Sequence, residues 1–447
     1  MKKLLLTLLA ATMLILSACG AEPGKTATVE PPEMFTVKAG IEETLMLDKR
    51  GVKITATELS YTGYSAELDI TIENNSGKDL SFHSNTLGYS CNSVNGYMID
   101  DGYLSADVPD GEKVYEVISF DAEELFALGI TDIADIEIGF YIMDADYDTY
   151  IRTGPLQVTT SMADTYDYSE DTYQTAMKNG WLTGAYDLTL NYFAKDELYN
   201  QNGVIAVSAA LIEDEDGGKY LFAEFENTGS NQVYVTTGSF SVNGLQIEGS
   251  RWSSDSINAG KRRVLMLSLT NMLDSAYWDT LGITDIAEVA FSVGLQNEDY
   301  NELCPEEELR LAVSNENSSY DSTGEVLCDE SKVRIIYKGL AADSSSYSDD
   351  IHALFLVENK RSKRIYVDTS DNSISVNGQE LSCFCYSTDI AAGRIGILDI
   401  EIDDSSLADN GIRGIADISD MEVSVTVKDE NYRTLSELPL AAKQLGK

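Results

Sequence analysis

One ten-residue stretch occurs three times in the chain: LGITDIADIE from Leu128, LGITDIAEVA from Leu281 and RGIADISDME from Arg413. The glycines Gly129, Gly282 and Gly414 each stand 18 residues before a tyrosine, Tyr147, Tyr300 and Tyr432, with no gap needed in between. A register held over that distance means that one supersecondary unit recurs, so the same folding problem is solved three times along the chain. At 447 residues the chain is too long for one ordinary core and suits three units of about 120 residues. The repeats are placed at 35–160, 196–314 and 325–447, with connecting segments at 161–195 and 315–324.

Within each unit the hydrophobic pattern reads as strands. Each opens on a hairpin: LMLDKRGVKITATEL with its turn Asp48-Lys49-Arg50-Gly51, LYNQNGVIAV from Leu198, and LCDESKVRII from Leu327. An alternating segment follows, with Leu68, Ile70 and Ile72 on one face, matched by Leu221, Ala223 and Phe225 and by Ala353, Phe355 and Val357. Period two with one apolar face predicts a half-buried strand. Polar turns beginning Glu-Asn come next, at Glu73, Glu226 and Glu358, and then the turn SVNG at Ser93, Ser241 and Ser375. Asn-Gly between apolar runs is a strong hairpin signal because both residues tolerate positive φ.

The recurring stretch itself has a physical reading. Asp121 to Leu128 (DAEELFAL) has a capping aspartate, acids in its first turn and apolar Leu125, Phe126 and Leu128. That predicts a short helix stopped by Gly129 in the left-handed region, with Gly282 and Gly414 in the same role. Asp274 to Leu281 repeats the helix with Tyr277 and Trp278. The faces Ile136, Ile138, Phe140, Ile142, then Val289, Phe291, Val293, Leu295, then Met421, Val423, Val425, Val427 predict the core strand of each unit. The fold class expected is all-β: three tandem immunoglobulin-like β-sandwich modules, each with a short connecting helix. The segment 161–195 is acidic and tyrosine-rich and reads as a linker, with a helical spacer or an extra strand at Tyr186 to Tyr192 as alternatives.

The amino terminus sets the compartment. Lys2 and Lys3 precede an apolar run from Leu4 to Leu16, too short for a comfortable span of about 20 residues. Leu16-Ser17-Ala18-Cys19 resembles the lipobox of bacterial lipoproteins. The resemblance implies a signal at 1–18 that is removed, acylation of Cys19, and anchorage on the extracytoplasmic face of the cell membrane. Residues 19–34 then read as a tether containing proline, glycine and threonine. The modules likewise resemble the immunoglobulin-like or telokin-like domains of bacterial lipoproteins. The Cys and Trp spacing of true immunoglobulin domains is absent, so strand order stays open.

With 31 basic against 75 acidic residues, a formal charge of −44, the chain repels phosphates and nucleic acid is excluded as a main partner. The dense basic clusters Lys261-Arg262-Arg263 and Lys360-Arg361 with Lys363-Arg364 are read as contacts to acidic neighbouring modules. Cys19 taken by lipid leaves five cysteines, read as buried thiols, with a Cys304–Cys328 bridge as an alternative. His83 and His352 are the only histidines and sit in no metal or nucleophile motif, and no G-x-S-x-G, H-E-x-x-H or phosphate loop occurs, so no enzyme is expected. DADYD at Asp144 lacks the later positions of a calcium loop and reads as a solvated hairpin. Asp132, Asp285 and Asp417 recur with Asp135, Glu288 and Asp420 three residues on. Acceptance of backbone N–H groups is the first reading of these acids, and a Ca2+ site the second. The expectation for function is a non-catalytic, membrane-anchored envelope protein that binds an envelope protein or a glycan through loops. The least similar segments, Ser84 to Asn92, Arg251 to Asn258 and Ser382 to Ala391, are the first candidates. The alternative is an extracytoplasmic protein that captures a cation or a glycan.

Overall fold

The computed structural model describes residues 32–86, 90–181, 188–215, 217–247, 253–269, 275–314, 319–342, 350–385 and 387–443. The signal segment, Cys19, most of the tether, Asp274 and part of the Tyr186 to Tyr192 segment lie outside the described residues.

Repeat one begins with β1 (Thr44–Lys49), β2 (Val52–Tyr61), β3 (Ser65–Asn74), β4 (Leu80–Ser84), β5 (Ser93–Val94) and β6 (Tyr97–Met98). It continues with β7 (Leu104–Val108), β8 (Lys113–Asp121), helix α1 (Ala122–Ala127), β9 (Asp135–Ile138), β10 (Tyr141–Asp144), β11 (Thr149–Arg152) and β12 (Leu156–Thr159). Helix α2 (Thr172–Asn179) lies in the segment 161–195, capped by Asp171, whose side chain accepts from Gln174 N. Repeat two supplies β13 (Thr189–Gln201), β14 (Val204–Glu213), β15 (Lys219–Asn227), β16 (Val233–Val242), β17 (Leu245–Gln246), β18 (Ser253–Ile257), β19 (Arg262–Ser268), α3 (Ser275–Leu281), β20 (Glu288–Gln296) and β21 (Glu302–Ala312). Repeat three starts with β22 (Glu325–Asp329), β23 (Val333–Ala342), β24 (Ile351–Asn359), β25 (Ile365–Thr369), β26 (Ser373–Val376) and β27 (Gln379–Phe384). It ends with β28 (Thr388–Ile390), β29 (Ile395–Ile402), α4 (Asp404–Asp409), β30 (Asp420–Asp429) and β31 (Thr434–Lys443).

The alternating segments do what their period dictates. They are the third strands of one antiparallel sheet that recurs as β1-β2-β3-β8, β13-β14-β15-β19 and β22-β23-β24-β29. Leu68, Ile70 and Ile72, and likewise Ala353, Phe355 and Val357, are at most 1 % exposed. The core strand expected in repeat one is broken into β9 and β10, which join different sheets with Phe140 between them; its four side chains are fully buried, as are those of β20 in repeat two, and those of β30 in repeat three are buried as well. The chain is an all-β sandwich protein, as the pattern requires.

Compactness divides the chain differently from the repeat. One unit comprises Met1–Tyr234, Asp255–Leu267 and Gln296–Leu303, and the other Val235–Ser254, Ser268–Leu295 and Cys304–Lys447. The first holds repeat one with the first sheet of repeat two; the second holds most of the other sheet of repeat two with repeat three. The reason is a cross-repeat pairing used twice. In the first unit β6, just after SVNG, runs parallel to β19, Tyr97 opposite Arg262. In the second unit β17 runs parallel to β29, Leu245 opposite Ile395 and Gln246 opposite Gly396. The strand after the SVNG turn of repeats one and two thus joins a sheet of that repeat to the first sheet of the next, and apolar packing follows. Ala210, Ile212 and Phe222 of repeat two lie in one cluster with Tyr173 and Met177 of α2 and the core of repeat one. In the second unit α3 packs on β23.

Repeats one and three carry polar side chains at positions where their neighbours are apolar. The outward face of the first sheet carries Phe222 in repeat two and Leu354 and Leu356 in repeat three, all buried. In repeat one the same face carries Glu67, Asp69, Thr71 and Glu73, opposite Ser119, Val117, Tyr115 and Lys113, with Tyr115 76 % exposed. After the SVNG turns, Tyr97-Met98 and Leu245-Gln246 are buried, whereas Gln379 and Glu380 of repeat three are exposed. Helix α1 buries Ala122, Leu125, Phe126 and Ala127, but α4 buries only Leu407.

One expected role is corrected. Gly129 and Gly282 stop their helices with φ of 72° and 67°, but Gly414 has a φ of 168°, which is extended backbone. The left-handed residue after α4 is Gly411, at 74°. Three extra residues, Arg413-Gly414-Ile415, separate it from the Ala416-Asp417 that aligns with the other copies, so the sequence match had shifted one glycine out of place. A Cβ on Gly129 would lie 2.2 Å from the Thr172 carbonyl oxygen, whereas Gly411 and Gly414 have no atom within 4 Å. Gly129→Ala is therefore expected to cost about 2 kcal/mol or more, from left-handed strain plus a backbone clash. Gly411→Ala should cost about 1 kcal/mol and Gly414→Ala almost nothing. Denaturant unfolding measures the series, and a Gly414→Ala loss equal to that of Gly129→Ala would contradict the assignment.

Candidate functional site

Two asparagines per repeat hold the loops, the first fully buried in all three repeats and the second buried in repeat one, half-buried in repeat two and exposed in repeat three. Asn74, Asn227 and Asn359 are fully buried in the Glu-Asn turns. Each amide bridges its own turn to the segment leading into the last strand of the first sheet. Asn74 Nδ2 donates to Lys78 O and Val108 O, both at 2.8 Å. Asn227 donates to Asn231 O (2.8 Å) and Ile257 O (2.9 Å), and Asn359 to Lys363 O (2.9 Å) and Ile390 O (3.0 Å). The second set is the Asn of SVNG, held at positive φ. Asn95 Nδ2 donates to Asp132 O and Asn95 Oδ1 accepts from Ala134 N, each at 2.8 Å. Asn243 does the same with Asp285 O and Ala287 N, and Asn377 with Asp417 O and Ser419 N. The threefold stretch recurs because it is the backbone strip on which this side chain docks.

The repeated acids do not converge. Asp132 Oδ1 accepts from Val37 N at 2.8 Å, Asp285 from Ile286 N at 2.8 Å and Asp417 from Arg413 N at 2.8 Å. Asp135 is buried and accepts from Gln157 at 3.1 Å, with burial pushing its carboxyl pKa up. Glu288 pairs with Arg310 at 2.9 Å and Asp420 accepts from the Ser419 hydroxyl at 2.8 Å. Among the described residues no group of three or more His, Cys, Asp or Glu is placed to hold a metal ion. The DADYD turn spends its first carboxylate on backbone: Asp144 Oδ1 accepts from Asp146 N and Asp148 N while Oδ2 meets Lys78 at 2.5 Å. Asn297 and Asp429 serve their hairpins in the same way, each accepting two N–H groups. Of the five cysteines expected to be buried, Cys91 and Cys383 are, whereas Cys304, Cys328 and Cys385 are half-buried; burial pushes the Cys383 thiol up to about 11 and that of Cys385 to about 12.

The junction in the first unit gathers the remaining chemistry. The first basic cluster reaches acids of repeat one and α2: Lys261 to Glu137 (2.8 Å), Arg262 to Asp171 (2.5 Å) and Arg263 to Asp100. Two of the dissimilar segments meet here, since Ser256 Oγ donates to Ser90 O (3.1 Å) and Asn258 Nδ2 to Cys91 O (3.0 Å). In the second unit, Ala391 N donates to Gln246 Oε1 (3.0 Å), whose amide donates to Asp389 O (2.6 Å). These segments differ between repeats because each is tailored to a different neighbour.

Beside the first junction opens a polar cleft of about 440 Å3. Its wall from repeat one is Arg152-Thr153-Gly154-Pro155 with Glu137 and Cys91, and from repeat two Ser230-Asn231-Gln232, Asn258-Ala259 and Glu298. The gapless register explains the opening. Glu306 and Glu308 align with Thr153 and Pro155, and Lys363 and Arg364 with Asn231 and Gln232. In the second unit Arg364 meets Asp389 at 2.5 Å and Glu306 at 3.9 Å, Arg394 meets Glu308 at 2.6 Å, and Lys363 meets Glu430 at 2.5 Å. The first junction has small and amide side chains where the second has ion pairs. Glu298, the counterpart of Glu430, has no ion pair among the described residues.

Beneath the cross-repeat pairing Glu224 is fully buried, accepting from Ser208 Oγ at 2.7 Å and Gln174 Nε2 at 3.2 Å. Desolvation, with Asp171 nearby, pushes its carboxyl up to about 8. Arg262 does not reverse this because it sits closer to Asp171, at 2.5 Å, than to Glu224, at 3.7 Å.

No family model matches the chain, and no curated protein matches it. Among solved structures it is similar to the exo-chitosanase CsxA of Amycolatopsis orientalis at 10 % identity, covering 52 % of this chain and 26 % of that one, with a TM-score of 0.17. It is also similar to the YadV chaperone at 12 % identity, covering 50 % and 91 % with a TM-score of 0.15. A third likeness is to the BSP domain of a biofilm-associated protein at 10 % identity, covering 93 % and 69 % with a TM-score of 0.14. The chain spans about a quarter of the length of the first of these, and likenesses this weak carry no functional argument.

The buried carboxyl makes a signed prediction. Because the folded pKa of Glu224 lies above its unfolded value, its contribution to stability is complete below about pH 4 and is lost as pH rises through about 8. The denaturation midpoint of Glu224→Gln should therefore fall less between pH 5 and 9 than that of the wild type, and parallel pH profiles would contradict this.

Proposed function

We propose that the chain is a non-catalytic, lipid-anchored protein of the extracytoplasmic membrane face that binds an envelope component in the cleft beside its first repeat junction. The observation that carries the reading is the cleft itself: about 440 Å3, within the range of ligand sites, where the same register in the next junction holds ion pairs. Its polar groups come from loops held by the buried asparagines, so they are presented without a conformational search. The lipobox-like Leu16-Ser17-Ala18-Cys19 supports anchorage, and the tether to residue 34 supports display above the membrane.

Two variants test the two halves of the reading. Cys19→Ala should move the protein from the membrane fraction to the soluble one, and retention in the membrane would refute lipid anchorage. Gly154→Trp places an indole in the cleft at a glycine with no atom within 4 Å of an added Cβ, so folding should survive. Retention of the full-length protein on isolated envelope fragments should fall at least fivefold, and unchanged retention would count against the cleft.

A further inference from the structure

Resting on the reading that the cleft is a binding site, we infer that its ligand is a neutral saccharide, stacked on Tyr300 and hydrogen-bonded by the cleft. The first observation is an aromatic platform at its edge. Tyr300 stands two residues after the cleft residue Glu298, holds a φ of 60°, and packs on Tyr234 with ring centroids 4.9 Å apart. Its ring is nevertheless 58 % exposed. A non-glycine residue in the left-handed region costs energy, and here that cost places a large ring at the surface instead of in the core. Arg152 of the cleft wall hydrogen-bonds with Tyr234, which ties platform and cleft together.

The second observation is the chemistry of the walls. At the lip Asn231 and Glu298 present planar, paired polar atoms, the geometry that matches adjacent hydroxyls on a sugar ring, while Gln232 Nε2 is held in the wall by Asn258 Oδ1 at 2.8 Å and Ser90 O at 3.3 Å. Ser230, Asn231 and Glu298 stand at the exposed lip, and Gln232 is half-buried beside them. Formal charges nearly cancel, because Arg152 offsets Glu298 and Lys261 is paired with Glu137 at 2.8 Å. In a chain of charge −44 this local balance argues against an anionic ligand, and the two cations argue against a cationic one. A polar, neutral, ring-shaped molecule with an apolar face satisfies both the walls and the platform.

The third repeat supplies an internal control. Tyr432 repeats the platform with a φ of 60° and a centroid distance of 4.4 Å to Tyr366, but ion pairs hold the positions that line the cleft in the first junction. Among the described residues, platform and cleft stand together at the first junction.

The test uses the full-length protein in an amine-oxide detergent, which has no sugar headgroup. Saturation-transfer NMR and calorimetry are run with N,N′-diacetylchitobiose, cellobiose and maltose as neutral probes and diglucuronic acid as the acidic one. At least one neutral disaccharide should bind, with affinity lost at least tenfold in Tyr300→Ala and in Gly154→Trp and unchanged in Tyr432→Ala. Equal loss in Tyr300→Ala and Tyr432→Ala, or tighter binding of the acidic probe, overturns the inference. If no saccharide binds while Gly154→Trp still abolishes retention on envelope fragments, the ligand class is wrong and the site stands. If Gly154→Trp leaves both sugar binding and retention unchanged, the site itself is wrong.

Discussion

The fold depends on a side-chain amide doing the work of backbone. A sandwich built from short strands leaves its loops with N–H and C=O groups that no sheet can satisfy, and burying them unpaired costs about 1–3 kcal/mol each. Asn95, Asn243 and Asn377 meet that demand with one donor and one acceptor directed at the strip after each helix. Asn74, Asn227 and Asn359 do the same for the Glu-Asn turns. An aspartate could accept but not donate, and a glutamine is longer by a methylene, so the residue type is set by geometry. This is why the strip diverges least among the repeats although its own side chains vary in their partners.

The same anchoring governs where a ligand can be received. Loops fixed at their roots can differ at their tips, and the tips here are shaped by the neighbouring repeat. At one junction Arg364, Arg394 and Lys363 pair with carboxylates, and at the other Gln232, Asn231 and Pro155 leave an opening. The cleft therefore follows from divergence between two copies of one interface, on a scaffold that both copies keep.

Much of this was legible in the sequence, because period two and the Asn-Gly turns are local signals. The buried faces at Leu68, Phe225 and Val357, the cap at Asp121 and the hairpins followed directly. Gly414 did not, since a short motif match cannot reveal that Arg413-Gly414-Ile415 is an insertion; only the backbone shows Gly411 in the left-handed role. The cross-repeat strand pairing was not legible either, because β6 and β17 are two residues long and carry no period. The signal for the cleft was present and unread: in a gapless alignment Glu306, Glu308 and Arg364 face Thr153, Pro155 and Gln232. Loss of charge on both sides of an interface at once is what an opening looks like in sequence.

The polar surfaces of repeats one and three bear on which repeat could stand alone. Glu67, Asp69 and Glu73 lie on the outward face of the first sheet in repeat one, and Gln379 and Glu380 are exposed after the SVNG turn of repeat three. Repeat two has neither relief: Phe222 packs into the core cluster of repeat one, and Leu245 pairs with Ile395 of repeat three. Excised on its own, repeat two would set both of these buried apolar side chains against water, so it is the repeat whose solubility is borrowed from its neighbours.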